Sequence, residues 1–152
     1  MGANKGRSNH GKTQMTHEQE IELDHLHREA VLARDPICRV CGKEPATDVH
    51  HIVYKSQSLA VRNSVKNGLG LGRECHEWAH KNPLKFEMAA EIIIGRSNYQ
   101  RLKRESKEEK PYMDYQKIKD ELDEAIRNPE KRDIFRERRG DGGGDLDQNR
   151  KT

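Results

Sequence analysis

The sequence is poor in the apolar and aromatic residues that build a large protein interior. Only 32% of its 152 residues are hydrophobic and 5% are aromatic, whereas 36% are charged. The longest apolar stretch, around Ile92 to Ile94, is far too short to cross a bilayer. No secretory leader is recognisable at the N-terminus. We therefore expect one small core carried by solvated helices, with no membrane partner and a cytoplasmic location.

Cysteine is also scarce, and its pattern argues against a disulfide framework. The chain has three cysteines, an odd number, and two of them form the pair Cys38-x-x-Cys41. This pattern is typical of metal binding in a reducing compartment. The net charge is only +3, so affinity for nucleic acid would have to come from local basic clusters rather than from the whole molecule.

The densest group of chemically active residues lies in the segment 36–82. Its potential ligands and bases come in the order Cys38, Cys41, His50, His51, Asn67, Cys75, His76 and His80. His76 and His80, spaced i and i+4, would project from one face of a helix toward a metal ion. The run 48–54 is predicted to be a strand because of its β-branched residues. It contains the adjacent pair His50 and His51, and at a strand end or bulge both side chains could reach one site.

This order, Cys-x-x-Cys, His-His-Ile, Asn and Cys-His-x-x-x-His, resembles the HNH nuclease family, whose catalytic unit is the ββα-metal motif. The resemblance implies an α+β fold, with a small ββα-metal core and a cysteine knuckle between an N-terminal helix and C-terminal helices. It implies that His51 is the general base and that Asn67 orients this base or braces the loop. The implied metal ligands are His50, His76 and His80.

The reaction implied by this resemblance is hydrolysis of DNA phosphodiester bonds. A neutral imidazole suits the deprotonation of water near neutral pH, and a divalent ion bound by three imidazoles keeps positions open for the phosphate. If the Asn67 side-chain carbonyl accepts a hydrogen bond from one ring nitrogen of His51, it fixes the tautomer of the base. Imidazole ligands favour Zn²⁺, Ni²⁺ or Mn²⁺, but relatives often carry Asp at the position of His50, so Mg²⁺ also stays a candidate.

Two other functions fit the same residues. In a noncatalytic adaptor for DNA or protein, the cysteines and histidines would hold one structural zinc ion and nothing would be cut. In a nuclease-derived regulatory subunit, the fold would be kept and the base left unused. The feature that favours the nuclease is His51 beside an intact metal set, because an adaptor has no use for a free imidazole next to a metal.

The cysteines depart from the family pattern. Relatives with a structural zinc typically carry a second Cys-x-x-Cys pair, but here the corresponding residues are Gly72-Arg73-Glu74-Cys75. Two alternatives stay open for Cys38, Cys41 and Cys75. They bind zinc with a fourth ligand from water, histidine or a carboxylate, or the zinc has been lost and packing replaces it.

The segments around the motif are expected to support it within a domain spanning 16–105. A capping box at Thr16 opens a helix to about Arg34, with its apolar residues toward the core. These residues are Ile21, Leu26, Ala30 and Val31. A further helix, 86–94, ends at Gly95.

The terminal segments and the basic residues complete the expected organisation. Residues 1–15 read as a flexible basic arm and 128–152 as a disordered tail. The segment 106–127 contains a C-terminal helix whose apolar stripe either docks on the domain or pairs with a partner. Four basic residues are candidates for contact with DNA, namely Lys55, Arg73, Arg96 and Arg101.

Overall fold

The structure is a computed structural model that describes residues 15–55, 57–108 and 113–129. It is α+β and mostly helical. The helices are α1 (His17–Arg34), α2 (Arg73–Lys81), α3 (Pro83–Ile94), α4 (Arg96–Ser106) and α5 (Tyr115–Arg127). Two strands, β1 (Asp48–His50) and β2 (Leu69–Leu71), form one antiparallel sheet, and a short 3-10 helix, Val65–Asn67, leads into β2. Along the chain, the order around the sheet is strand, loop, strand and helix.

Helix α1 begins as the sequence predicts. The Thr16 hydroxyl accepts from the Gln19 backbone N–H at 3.1 Å, and the Gln19 side chain accepts from the Thr16 N–H at 3.0 Å, which is a complete capping box. The residue before Pro36 ends the helix. The predicted core face was partly wrong, because Ile21 is 45% exposed. The buried residues of the helix are Leu23, His27, Ala30 and Val31.

The sheet is shorter than predicted. β1 ends at His50 rather than continuing to residue 54, and its register pairs His50 with Leu69 and Asp48 with Leu71. Because β2 also has only three residues, the chain beyond His50 has no ladder partner among the described residues. Its β-branched residues Ile52 and Val53 are buried in the main core instead of pairing in a strand. The strand therefore ends immediately before His51.

Two apolar clusters hold these elements together. The main one joins the sheet to α2, α3 and α4 through residues such as Leu71, Phe86 and Leu102. The second lies between α1 and α5 and includes Leu23 and Leu122. Of the two roles open for α5, docking on the domain is therefore the one observed.

The predicted C-terminal helices are present with shifted bounds. α3 starts at Pro83 rather than at residue 86, because proline fits the first position of a helix. It ends as predicted at Gly95, whose φ of +94° favours glycine. α5 starts at Tyr115, so it occupies only the later part of the segment 106–127.

Several sequence predictions fall on residues that the structure leaves out. The basic arm is described only at Met15, and the tail only at Asn128 and Pro129; residues 1–14 and 130–152 lie outside the described part. Among the residues that are described, no helix has the length and apolarity needed to cross a membrane.

Candidate metal centres and active site

Three histidines converge at the junction of the sheet with α2. His50 is the last residue of β1, and His76 and His80 lie one turn apart on α2. One ring nitrogen of each lies within 4.8 Å of the corresponding nitrogens of the other two. The ring centroids are 4.6–5.4 Å apart. The structure thus brings together the three residues predicted as metal ligands, with spacing suited to a single divalent ion.

His50 carries the clearest sign of a ligand site. It is only 3% exposed, and its Nε2 is one of two buried side-chain polar atoms without a hydrogen-bond partner in the described part of the chain. A buried polar atom without a partner is costly, and a bond to a metal ion would satisfy it. Burial, together with repulsion from His80 and His76, lowers the pKa of His50 to about 4. At neutral pH the ring is therefore in the uncharged form that binds metal.

His51 follows directly after β1 and lines the same cleft as the three histidines. Its Nε2 lies 3.1 Å from the backbone oxygen of Arg62. Because a carbonyl oxygen can only accept, Nε2 must carry the proton, and Nδ1 is left with a lone pair. Burial is the main cause that lowers the pKa of His51, so the ring is neutral at neutral pH.

Asp24 on α1 holds the loop that supplies this carbonyl group. Its carboxylate accepts two hydrogen bonds from the Arg62 guanidinium, at 2.7 and 3.2 Å, and one from Asn63 at 3.1 Å. Lys55 lies 3.6 Å from the same carboxylate. The loop between the strands is thereby fixed to α1 at the point where Arg62 meets His51.

His27, on α1, is a site residue that the sequence analysis did not identify. It is 2% exposed, and its Nε2 donates to Ser64 O at 2.9 Å. Its ring stacks on that of His51, with centroids 4.8 Å apart and an interplanar angle of 20°. Burial and the neighbouring His51 lower the pKa of His27 to about 3. A neutral ring therefore supports one face of His51.

The expected hydrogen bond from a His51 ring nitrogen to the Asn67 side-chain oxygen is absent among the described residues. Asn67 is fully buried, and its Oδ1 accepts from Val53 N at 2.7 Å. Its Nδ2 donates to Val53 O at 2.9 Å and to Val61 O at 3.1 Å. The expectation that Asn67 fixes the tautomer of His51 was wrong, because the carbonyl group of Arg62 does so. Asn67 braces the loop, which was the other role open to it.

A second potential metal site includes Cys75, the residue before His76 on α2. The sulfur atoms of Cys38, Cys41 and Cys75 all lie within 4.8 Å of one another. Burial alone would raise the pKa of Cys38, but backbone N–H groups of Cys41, Gly72 and Val40 lower it. Amides directed at a sulfur atom stabilise the thiolate, which is the form that binds zinc. Burial and the neighbouring Cys38 and Cys41 raise the pKa of Cys75 to about 12, and a divalent ion among the three sulfur atoms would offset their mutual repulsion. The three residues present therefore fit a metal ion.

The cleft beside the histidines has a volume of about 770 Å³ and is open to solvent. Of the four basic residues predicted to contact DNA, only Lys55 is among the described residues that line it. Arg73 is exposed at the start of α2, and Arg96 and Arg101 lie on α4. The structure thus places one of the four beside the histidines and three elsewhere on the surface.

No protein-family model, curated protein or solved structure matches this chain. The functional conclusion therefore rests on the geometry of the site.

Proposed function

We propose that this chain is a metal-dependent endonuclease of the HNH type, with a ββα-metal core formed by β1, β2 and α2. The observation that supports the proposal most strongly is His51. This imidazole has one free ring nitrogen and lines a cleft with His50, His76 and His80. A protein that used these residues only to hold a structural metal would not need a separate, oriented imidazole beside them.

In this proposal His51 is the general base. Arg62 O holds the proton on Nε2, so Nδ1 accepts a proton from the attacking water. His27 supports one face of the ring, and Asp24 fixes the loop that carries Arg62. These contacts restrict rotation of the base, and a base that is already oriented loses little entropy when the reaction begins.

The metal would be held by His50, His76 and His80. A divalent ion at such a site acts as a Lewis acid for the scissile phosphate and the leaving 3′-oxygen. Mg²⁺, Mn²⁺, Ni²⁺ and Zn²⁺ are the candidate ions. The products would carry 5′-phosphate and 3′-hydroxyl ends. Lys55, at the cleft, is the first candidate for a contact with the DNA backbone, and Arg73, Arg96 and Arg101 are further candidates.

The proposal is tested by incubating the protein with supercoiled plasmid DNA after chelation and re-addition of each ion. We expect the wild type to produce nicked or linear DNA, and His51→Ala to lose this activity while still binding metal. His25→Ala is a matched control, because His25 is an exposed histidine of α1 that lines the same cleft. It should cut like the wild type.

Two results would contradict the proposal. If His51→Ala cuts as fast as the wild type, His51 is not the base. If the wild type cuts no DNA with any of the four ions although calorimetry shows a metal bound to the histidines, the noncatalytic adaptor becomes the better interpretation.

A further inference from the structure

The three-cysteine cluster lacks one ligand for a closed zinc site. Structural zinc in proteins is almost always four-coordinate and tetrahedral. Cys38 and Cys41 come from a tight turn, and Cys75 comes from the first turn of α2. Their sulfur atoms lie within 4.8 Å of one another, so three corners of a tetrahedron are present. The fourth ligand must come from a nearby side chain or from water.

The residue three positions before Cys75, directly before α2, is a glycine, Gly72. Gly72 is the N-cap of α2, and its backbone N–H is among the amides that lower the pKa of the Cys38 thiol. Gly72 therefore lies near the sulfur cluster. A Cβ atom added at Gly72 would lie 2.5 Å from Oε1 of Glu44 and 3.1 Å from Cβ of Glu44. The Glu44 side chain thus occupies the space that a side chain at position 72 would need.

We propose that Glu44 supplies the fourth ligand, which makes the cluster a zinc site of three thiolates and one carboxylate. Carboxylate oxygen is an established zinc ligand, at about 2.0–2.2 Å. Within the described part of the chain, no hydrogen bond or ion pair engages the Glu44 carboxylate. A side chain at position 72 would have to displace the end of the Glu44 side chain, so glycine at position 72 leaves room for the glutamate at position 44.

The backbone already holds Glu44 next to the cluster. The Cys38 N–H donates to Glu44 O at 2.8 Å, and the Lys43 N–H donates to the Cys41 sulfur at 3.4 Å. The carboxylate does not lie within 4.8 Å of all three sulfur atoms. In this proposal the fourth bond forms by rotation about the side-chain torsions of Glu44, with the main chain in place.

This inference is independent of the nuclease proposal, and its test measures zinc rather than cleavage. Apoprotein prepared under reducing conditions is titrated with Zn²⁺ against a chromogenic chelator. Titration with Co²⁺ then gives sulfur-to-metal charge-transfer bands, which report on the cysteine cluster alone. Loss of an outer-shell partner lowers metal affinity by roughly 10–100-fold. Because Glu44 would contact the metal directly, we expect Glu44→Gln to lower the affinity of the thiolates for metal by at least that factor.

Glu74→Gln is the matched control. Glu74 is exposed in the first turn of α2, so this change also removes one negative charge near the N-terminus of that helix. If Glu44 only complemented the helix dipole, the two changes would have similar effects. We expect Glu74→Gln to leave the metal affinity of the thiolates unchanged.

A double variant tests the exchange between the two positions. In Glu44→Ala/Gly72→Cys the carboxylate is removed and a fourth thiol is placed at position 72. We expect metal affinity to return to the wild-type value or exceed it, with a Co²⁺ spectrum of four thiolates. The inference is overturned if Glu44→Gln binds zinc like the wild type, if the double variant fails to regain affinity, or if the wild-type cysteines bind no zinc.

Discussion

Asn67 provides a sharp test of how the loop beside His51 is held. The change Asn67→Ala removes three buried hydrogen bonds at once. Val61 O also accepts from the backbone N–H of Ser64, at 3.1 Å, so it keeps a partner. The N–H and C=O groups of Val53 have no other hydrogen bond among the described residues. The variant therefore leaves two backbone groups without partners in the protein interior.

The expected cost follows from these two groups. Each buried group without a partner costs about 1–3 kcal/mol, so for two groups we expect the free energy of unfolding to fall by about 2–6 kcal/mol. The assay is urea unfolding of the apoprotein, and the midpoint should fall with the slope unchanged. Domains of this size have total stabilities of about 5–15 kcal/mol, so the shift should be easy to measure.

Asn63→Ala is the control, because it removes an asparagine from the same loop. Asn63 donates only to Asp24, and that carboxylate keeps both bonds from Arg62. We expect Asn63→Ala to lower the free energy of unfolding by about 0.5–1.5 kcal/mol. If Asn67→Ala were no more destabilising than Asn63→Ala, the idea that Asn67 braces the loop would be refuted.

Three further predictions concern other parts of the molecule. Asp35 is buried against two arginines and the Gly70 N–H, which lower its pKa although burial alone would raise it. Its stabilising effect is therefore present above its unfolded pKa of about 3.9 and is lost as the pH falls through the lower folded value. Asp35→Asn should lower the free energy of unfolding by about 3–5 kcal/mol at pH 7. As the pH is lowered, the melting temperature of this variant should fall less than that of the wild type, and an equal fall would contradict this. His27→Phe keeps a ring against His51 and removes one buried hydrogen bond, while Ser64 O keeps the Asn67 N–H at 2.9 Å. The free energy of unfolding should therefore fall by about 0.5–1.5 kcal/mol, with unchanged metal affinity in calorimetry; weaker metal binding would show that His27 acts on the metal site. The Leu122 side chain packs between α1 and α5, so Leu122→Ala should lower the free energy of urea unfolding by about 2–5 kcal/mol. A decrease below about 1 kcal/mol would show that α5 is loosely docked.

The features that the sequence predicted correctly are those specified by neighbouring residues. The capping box at Thr16 and the glycine that ends α3 at Gly95 are local signals. The spacing of His76 and His80 places both on one face of α2 whatever the rest of the fold does. Their convergence with His50 also agrees with the structure, because the resemblance to a family supplied the long-range information.

The features that the sequence left undetected depend on contacts between distant segments. Arg62 fixes the tautomer of His51 through its backbone oxygen, and a backbone carbonyl group carries no residue-type signal. Asp24 reaches Arg62 across 38 positions of the chain. One signal was available for His27: it lies on the buried stripe of α1, four residues after Leu23 and three before Ala30. A histidine on such a stripe needs a buried partner.

The cysteine cluster and the histidine cluster both include residues of α2, but they differ in access to solvent. This difference predicts different roles for the two clusters. Cys75 and His76 are adjacent, so the start of α2 contributes to both clusters. The cysteine cluster lies against the main core and none of its three residues is exposed, whereas His80 is exposed and the histidines line the open cleft. Structural zinc sites are closed, and catalytic sites keep a position open for water or substrate. A metal on the cysteines would therefore hold the first turn of α2 in place, and that turn positions His76 for the site where chemistry is proposed.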